Sequence, residues 1–327
     1  MTAPILCIGN AIVDVIARAD DDFLKAEGLE KGSMRLIDTG EAEALYAKMA
    51  AGQESSGGSG ANSAAGIAAL GGTVQFIGRV ADDQLGKVFR HDIRAAGVDF
   101  ETPPSKSGVP TARCLILVTP DAERTMNTYL GTSAELAESD VDYRAVKAAQ
   151  ITYLEGYLWD SPDARAAMVK ARNVAREAGR RVAFTLSDTF CVERHREDFL
   201  GLARGGVDIL FANEEELKRL YETDDFNAAV QKQRGACEIA VVTRSEKGAV
   251  VITEDDVVSV AADSVSEVVD TTGAGDLFAA GFLAGMQQGR SLEEAARLGT
   301  IAAGEVISHY GARPLADLKA VAREKLS

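Results

Sequence analysis

The second half of the chain alternates short apolar runs with segments of helical periodicity. The apolar runs lie at residues 151–154, 181–186, 207–212 and 239–243, and the helical segments lie at residues 162–178, 194–203 and 214–221. Strands that are separated by helices usually pair in parallel, because the connection has to cross over one face of the sheet. The alternation therefore predicts an α/β fold in which a mostly parallel sheet carries helices on both faces.

A glycine-containing turn near residue 273 predicts an anion site. Residues 265–269 are rich in β-branched side chains and predict a strand, and the small apolar residues that follow the turn predict a helix. The N–H groups of Gly273, Ala274 and Gly275 would be free at the start of this helix, which carries roughly half a positive charge. Glycine also lets another molecule approach the backbone closely. The turn therefore predicts a binding site for phosphate.

Asp276 lies one position inside this anion site. Its negative charge would repel a bound phosphate, which is unfavourable unless the carboxylate has a use. A carboxylate at this position can take the proton of a hydroxyl that attacks the phosphoryl group. The alternative is an acidic first-turn residue that only complements the helix dipole.

Composition argues against several classes of partner. The 327 residues include 35 Lys and Arg against 50 Asp and Glu, and the net charge of −15 argues against nucleic acid or an anionic membrane. An anionic ligand such as ATP is not excluded, because local N–H groups and a metal act at contact distance. The four cysteines form no C-x-x-C pair, the N-terminus lacks a basic signal-peptide start, and no run is long enough for a membrane span. We therefore expect a reduced, cytoplasmic protein.

The most glycine-rich stretch, residues 55–63, leads into a helix of small residues. It is not a dinucleotide fingerprint, because Ser63 occupies the third glycine position and no strand is predicted before it. No Gly-Lys-Ser or Gly-Lys-Thr occurs in the chain, so it is not a Walker A loop either. The stretch is either a flexible linker or a loop whose backbone lines a binding site.

Taken together, these motifs resemble those of the ribokinase-like, or PfkB, family of sugar and nucleoside kinases. The turn with Asp276 resembles the family's C-terminal signature, residues 57–86 resemble its N-terminal signature, and Asn213 and Glu216 match its N-x-x-E motif. The resemblance covers nearly the whole chain and looks closest to the adenosine kinases of this family. It implies one domain over residues 1–327, with a three-layer α/β/α core, a mostly parallel sheet and a small β-sheet lid from about residues 11–40 and 107–131.

The resemblance also implies an acceptor site. It places the acceptor against Asn10, Asp14, Leu36, Gly58, Asn62, Tyr157 and Phe190. Asp14 would hold the ribose hydroxyls, because a carboxylate can accept two hydrogen bonds from a cis-diol. From the residues alone, Asp14 is equally well a solvated strand residue, and the two aromatics are equally well core positions. Met34 departs from the family pattern, since adenosine kinases of the animal type place a glutamine near the base there.

On the phosphate side, the resemblance assigns Arg124 to the phosphates and Thr243 and Gly248 to the nucleotide loop. Asn213 and Glu216 would organise Mg²⁺ and its waters, and Asp270 matches a position that helps to bind a monovalent cation such as K⁺ in some relatives. The residues themselves leave alternatives open. Arg124 is equally well a surface arginine, and Asn213 with Glu216 is equally well a helix N-cap with an acidic first turn.

The implied function is ATP-dependent phosphorylation of a primary hydroxyl, the 5′-OH of adenosine or a related nucleoside. Asp276 would act as general base, residues 273–275 as anion hole, and ATP and Mg²⁺ as cofactors. Met34 keeps open a sugar kinase of the same family, acting on ribose, fructose or a keto-deoxy sugar acid. A non-catalytic nucleoside-binding regulator also stays open, whereas the failed dinucleotide fingerprint argues against an oxidoreductase. We expect a small-molecule partner, no nucleic acid and no membrane, and a monomer or homodimer.

Overall fold

A computed structural model describes residues 3–121 and 123–326 of the chain, which form two β-sheets and a set of helices. The strands are β1 (Ile5–Ile8), β2 (Ile12–Arg18), β3 (Met34–Leu36), β4 (Gln53–Gly57), β5 (Val74–Ile77), β6 (Ala112–Val118), β7 (Arg124–Tyr129), β8 (Ile151–Glu155), β9 (Arg181–Thr185), β10 (Ile209–Asn213), β11 (Ile239–Thr243), β12 (Ala249–Ile252) and β13 (Val257–Val260). The α-helices are α1 (Asp21–Ala26), α2 (Thr39–Lys48), α3 (Ser59–Ala69), α4 (Gln84–Ala95), α5 (Tyr143–Ala148), α6 (Pro162–Glu177), α7 (Thr189–Gly201), α8 (Glu214–Leu220), α9 (Phe226–Gln233), α10 (Ala274–Gln287), α11 (Leu292–Val306) and α12 (Leu318–Leu326).

The larger sheet has the strand order β13-β12-β11-β10-β9-β8-β1-β5. The strands from β11 to β5 in this order are parallel, and β12 and β13 continue the sheet as antiparallel strands. The parallel strands are short and largely buried, as expected for a sheet that is covered on two sides. This arrangement confirms the predicted α/β fold with a mostly parallel sheet.

Helices cover both faces of the larger sheet. Cys7 and Tyr153 pack on one side, in a core shared with α3, α10 and α11, whereas Leu6 and Leu154 pack on the other side with α6 and α7. Successive residues of a strand point to opposite faces, so the same strands contribute to both cores. The predicted three-layer arrangement is therefore confirmed. No helix in the described part of the chain is long and apolar enough to cross a membrane.

The smaller sheet has the strand order β3-β7-β6-β2-β4. One of its faces is buried, since Val13 and Leu115 belong to the core that includes Leu24 of α1 and Leu45 of α2. The opposite face carries Asp14 and is only partly covered. Buried and half-buried residues therefore alternate along β2, as in a sheet that is covered on one side.

The chain leaves the larger sheet after β1 and enters the smaller one as β2. Two local predictions from the sequence are corrected by the structure. Residues 53–57, at the start of the predicted glycine-rich loop, form β4, which pairs with β2 and lies outside the predicted lid segments 11–40 and 107–131. Residues 265–269 form no strand, and Val268 is 55% exposed. In each case pairing with a neighbouring strand decides the outcome, not local propensity.

Candidate active site

The carboxyl ends of five parallel strands bring several of the predicted site residues to one edge of the larger sheet. β1 ends just before Asn10, β8 ends at Glu155, β9 ends just before Ser187, β10 ends at Asn213 and β11 ends at Thr243. Ligands of open α/β sheets bind beyond this edge. Asp276, in the first turn of α10, reaches the same place, because it accepts hydrogen bonds from Ser59 and Asn62 of α3 while the N–H of Gly60 in the same turn of α3 donates to Glu155.

Asp276 is held by two side chains of α3. Ser59 Oγ donates to Asp276 Oδ1 at 2.6 Å, and Asn62 Nδ2 donates to Asp276 Oδ2 at 2.9 Å. Burial raises the pKa of Asp276, while these two hydrogen bonds and the positive charge of Arg313 oppose the rise. The carboxylate therefore has a fixed orientation and a raised affinity for a proton, which suits a general base. Asn62 Oδ1 is buried without a partner among the described residues, so it can still accept from a ligand hydroxyl.

Small residues let α3 and α10 approach closely enough for these contacts. A methyl group on Gly66 of α3 would lie 2.6 Å from Ala280 and Leu277 of α10. On its other side α10 packs against α11, where a methyl group on Gly281 would lie 2.6 Å from the backbone of Gly299. The run of small residues after residue 58 is therefore the reason why the first turns of α3 and α10 meet.

The turn before α10 has the conformation that its glycines predict. Gly273 has φ +79°, in the left-handed region, and an added Cβ would lie 2.7 Å from the Ala312 Cβ. The N–H groups of Gly273 and Gly275 have no hydrogen-bond partner among the described residues, and both lie at the start of a helix. The prediction that the N–H group of Ala274 is free is wrong, because this group donates to the Thr271 carbonyl oxygen at 3.2 Å within the turn.

Arg124 of β7 links the smaller sheet to this turn. Its Nη1 lies 2.8 Å from Asp270 Oδ2, in an ion pair whose side chains are only 8% and 7% exposed. Arg124 Nε and Nη2 are also buried, and neither has a hydrogen-bond partner in the described part of the chain. Unsatisfied buried donors close to a helix N-terminus have the chemistry that binds an anion.

Asp270 is engaged by the protein itself. Its Oδ1 accepts from the N–H and the hydroxyl of Thr272 at 3.0 and 2.7 Å, and its Oδ2 accepts from the N–H of Gly311 at 2.9 Å. Since Arg124 already neutralises this carboxylate, a monovalent cation would have to compete with it. The side-chain contacts of Asp270 therefore do not fit the cation site that the resemblance implies.

Asp14 lies on the partly open face of the smaller sheet. Gly57 of β4 packs directly against its carboxylate, where any larger side chain would overlap it. Burial raises the pKa of Asp14 to about 6, the positive charges of Arg313 and Arg124 oppose the rise, and the negative charge of Asp276 adds to it. Asp276 is therefore close enough to affect the ionisation of Asp14.

Asn10 lies beneath the site and not on its surface. Its N–H and Nδ2 donate to the Glu155 carboxylate at 3.2 and 2.8 Å, and its Oδ1 accepts from the Ser133 hydroxyl. Glu155, which is fully buried, also accepts from the N–H of Gly60 at 2.7 Å. Gly58, at φ +98°, packs on the Asn10 carbonyl and begins α3. The predicted contact of Asn10 with the acceptor is therefore wrong, because the polar atoms of its side chain bind Glu155 and Ser133 instead.

Sequence reasoning missed Glu155, because a lone glutamate at the end of a strand forms no motif.

The three apolar candidates differ in exposure. Phe190, in the first turn of α7, is 64% exposed, and Leu36, in the edge strand β3, is 59% exposed. Tyr157 is half-buried, and its hydroxyl donates to the carbonyl oxygen of Ser187 at 3.3 Å. Ser187 has φ +73°, in the left-handed region. Phe190 and Leu36 therefore present open apolar surface, whereas Tyr157 supports the left-handed turn after β9.

Asn213 and Glu216 form a complete capping box at the start of α8. Asn213 Oδ1 accepts from Glu216 N at 2.8 Å, and the Glu216 carboxylate accepts from Asn213 N at 2.9 Å and Nδ2 at 2.6 Å. Burial, together with the nearby charge of Asp188, raises the pKa of Glu216 to about 7 against the opposing hydrogen bond from the backbone of Asn213. Both oxygens of the Glu216 carboxylate are thus occupied by Asn213, so these residues form a helix cap and could reach Mg²⁺ only through its waters.

Thr243 and Gly248 flank the turn after β11. Thr243 is the register partner of Asn213, which places it beside the candidate magnesium site. Gly248 has φ +83°, its N–H donates to the Ser245 carbonyl oxygen at 3.0 Å, and a side chain would overlap the Val260 carbonyl. The turn itself therefore requires Gly248, and its N–H is not free to bind a phosphate.

Known proteins are similar to this chain in both sequence and structure. Residues 3–318 match the model of the pfkB family of carbohydrate kinases. The chain is 52% identical to the adenosine kinase from Sinorhizobium meliloti, with a TM-score of 0.91 over 99% of this chain and 100% of that chain. It is 51% identical to a probable sugar kinase from Rhizobium etli CFN 42, with a TM-score of 0.92 over 99% of both chains.

A more distant relative carries a different substrate name. The ATP-dependent ribose-1-phosphate kinase from Halopiger xanaduensis is 33% identical over 283 residues, which cover 83% of this chain and 86% of that protein. The relatives therefore agree on a kinase and differ in the acceptor. The chain belongs to the pfkB family of carbohydrate kinases, and it is a phosphotransferase that acts on a hydroxyl group of a sugar or a nucleoside.

Proposed function

We propose that the chain transfers the γ-phosphoryl group of ATP to the 5′-hydroxyl of adenosine or a related nucleoside. The observation that carries this proposal is the position of Leu36 relative to Asp14. Asp14, Cys114, Thr128 and Leu36 are successive register partners across β2, β6, β7 and β3. Register partners point to the same face of a sheet, so Leu36 lies on the face that carries Asp14.

The length of this row of register partners, from Asp14 to Leu36, suits a nucleoside. Neighbouring strands are about 4.8 Å apart, so Asp14 and Leu36, three strands apart, are separated by roughly 14 Å. A free sugar that binds Asp14 through its hydroxyls would end well short of Leu36, whereas a nucleoside extends towards it by the length of its base. The exposed Leu36 and Phe190 side chains offer apolar surface to a flat base. The 52% identity to an adenosine kinase supports the same substrate.

Asp276 acts as the general base in this proposal. It takes the proton of the attacking hydroxyl while the new oxygen–phosphorus bond forms and the bond from the γ-phosphorus to the bridging oxygen of ADP breaks. The free N–H groups of Gly273 and Gly275, with the unsatisfied donors of Arg124, stabilise the charge on the transferring group. Asp14 holds the ribose hydroxyls and so orients the 5′-hydroxyl towards Asp276.

The two predicted metal ions differ in their support. Asn213 and Glu216 would hold Mg²⁺ through its waters, and the ion would neutralise phosphate charge. A monovalent cation at Asp270 would have to displace Arg124, which already supplies positive charge there, so K⁺ has no part in the proposed mechanism. The four cysteines are free, which supports the proposed cytoplasmic location.

The deciding experiment measures ADP release from Mg-ATP with adenosine, other nucleosides, ribose and fructose as acceptors. We expect turnover with adenosine to exceed turnover with either sugar, because only a nucleoside spans the row from Asp14 to Leu36. Leu36→Ser should raise the KM for adenosine and leave the KM for a sugar unchanged. Arg35→Ser is the matched control, since Arg35 is adjacent in β3 and points to the opposite face.

Preference for a free sugar would overturn the nucleoside proposal and favour the second candidate, a pfkB sugar kinase. Met34 and the similarity to the probable sugar kinase from Rhizobium etli support that candidate. The role of Asp276 would be unchanged in that case, because the phosphoryl transfer is the same.

The turn glycines offer a matched pair of variants. Gly273→Ala forces alanine to φ near +79° and against Ala312, so we expect it to lose about 1–3 kcal/mol of unfolding free energy together with activity. An added Cβ at Gly275 meets nothing within 4 Å, so Gly275→Ala should keep the melting temperature but raise the KM for ATP, whose phosphate would meet the new methyl group. Thermal unfolding and ADP release measure these effects. An equal loss of stability in both variants would contradict the assigned turn geometry.

A further inference from the structure

Arg313 makes three hydrogen bonds to the segment that lies between the two acidic residues of the site. Its Nη1 donates to the Ala61 carbonyl oxygen at 2.7 Å, its Nε donates to the Ser56 carbonyl oxygen at 3.1 Å, and its Nη2 donates to Ser56 Oγ at 3.0 Å. The N–H of Ser56 in turn donates to Asp92 Oδ2 of α4 at 2.7 Å. One guanidinium group, from the C-terminal part of the chain, therefore joins β4 to the first turn of α3.

The residues between these two anchor points contact both carboxylates. Gly57 packs against the carboxylate of Asp14, and Ser59 Oγ donates to Asp276 Oδ1 at 2.6 Å. A shift of residues 56–61 would therefore disturb both contacts at once. These three hydrogen bonds end on Ser56 and Ala61 and not on either carboxylate, so the effect of Arg313 on the positions of the carboxylates is indirect.

The positive charge of Arg313 acts on the same two carboxylates. It is the larger of the two cationic effects that oppose the raised pKa of Asp14, ahead of Arg124. It is also the cation that opposes the raised pKa of Asp276. Burial lowers the pKa of Arg313 to about 10, so the guanidinium stays protonated at neutral pH.

The other titratable groups around the two carboxylates do not replace this charge. Asp92 of α4 and Glu155 of β8 are acids. Tyr153 and Tyr157 are neutral at ordinary pH, because burial raises the pKa of both. Arg124 is paired with Asp270. Arg313 is therefore the main cation that Asp14 and Asp276 share.

We propose that Arg313 is a positioning residue for the phosphoryl transfer. It fixes residues 56–61 between Asp14 and Asp276, and its positive charge favours the ionised form of both carboxylates. The inference rests on the proposed function, in which Asp276 is the base and Asp14 binds the acceptor. Without the guanidinium, two like charges remain in a half-buried site, and one of them takes up a proton at a higher pH than before.

The test compares Arg313→Gln with Arg313→Lys in the full chain, with kcat and KM measured from about pH 5 to about pH 9 for the best acceptor of the panel. Arg313→Gln keeps a donor but loses the charge, so we expect the acidic limb of kcat/KM to move up by about one pH unit. Arg313→Lys keeps the charge but loses the planar fork of donors, so the KM for the acceptor rises and the acidic limb stays in place. Arg234→Gln is the matched control and should leave the pH profile unchanged. Arg234 also binds two backbone carbonyls, Glu254 O at 2.8 Å and Asp255 O at 2.7 Å, but at the opposite end of the sheet.

Two results would overturn this proposal. One is an unchanged acidic limb in Arg313→Gln, and the other is an equal effect of Arg313→Gln and Arg313→Lys at every pH. If Arg313→Gln does not fold, Ser56→Ala is the deciding variant, because it removes only the hydrogen bond from Arg313 Nη2. A raised KM for the acceptor with an unchanged pH profile supports the positioning role. An unchanged KM for the acceptor contradicts it. A failure of the proposed function would show in other results: Asp276→Asn would retain turnover, or a sugar would be the best acceptor.

Discussion

In Asp276→Asn we expect kcat to fall by about 10²–10⁴-fold, while the Kd for ATP changes little, because a general base contributes on this order to the chemical step. The amide keeps the size and contacts of the carboxylate: its oxygen can accept from Asn62 Nδ2, and its NH₂ group can donate to Ser59 Oγ. It cannot take up the proton of the attacking hydroxyl. ADP release measures the rate, and calorimetric titration with ATP measures the affinity.

Ser59→Ala separates the orientation of Asp276 from its basicity. It removes the 2.6 Å hydrogen bond to Oδ1 and leaves the carboxylate in place, so we expect a smaller loss of kcat than in Asp276→Asn. Because that bond opposes the raised pKa of Asp276, the acidic limb of kcat should also move to higher pH in Ser59→Ala. A wild-type rate in Asp276→Asn would rule out the base role.

Glu155→Ala should lower the unfolding free energy at pH 7 by on the order of 3 kcal/mol, because it leaves three buried N–H donors without an acceptor. These donors are the N–H and Nδ2 of Asn10 and the N–H of Gly60. Urea denaturation measures the change. Glu238→Ala is the matched control: its surface ion pair with Arg181 is half-exposed, so its loss should cost less than about 1 kcal/mol. A Glu155→Ala protein as stable as the control would show that the buried network contributes nothing.

Glu155→Gln tests the ionisation of the same residue. Burial raises the pKa of Glu155 from 4.5 to about 7, so the folded state binds a proton more tightly than the unfolded state between these values. The stability that the tighter proton binding of Glu155 adds to the folded state is therefore fully present below pH 4.5 and is lost as the pH rises through about 7. A glutamine does not titrate, so its stability relative to the wild type should improve with rising pH across this window, by up to about 3 kcal/mol. A constant difference from about pH 5 to about pH 8 would contradict the raised pKa.

The features that could be predicted from the sequence depend on neighbouring residues. The strands β8, β9 and β10 are apolar because helices cover both faces of the sheet. In the sequence, this burial is visible as a continuous run of apolar residues within each strand. The turn at Gly273 and the carboxylate at Asp276 lie within four positions of each other, so their chemistry is visible as one motif. The capping box of Asn213 and Glu216 is local in the same way.

The features that could not be predicted depend on residues far apart in the chain. Glu155 meets Asn10 across 145 positions, and Arg313 meets Ser56 across 257 positions. Each is a single charged residue without a motif, and its role follows only from the partner that the fold brings to it. The same reason explains the failed strand at residues 265–269, since a β-branched run forms a strand only where a neighbouring strand can pair with it.

The sequence by itself therefore determined the layered α/β architecture and the anion turn with its carboxylate, because periodicity and turn chemistry act over a few residues. Only the tertiary structure decided which side chains surround that carboxylate. Close packing of small residues brings Ser59 and Asn62 of α3 to Asp276, and pairing across the smaller sheet places Leu36 in line with Asp14. Hydrogen bonds and charges act over a few ångströms in space, whatever the separation in the chain, and the fold alone sets those distances.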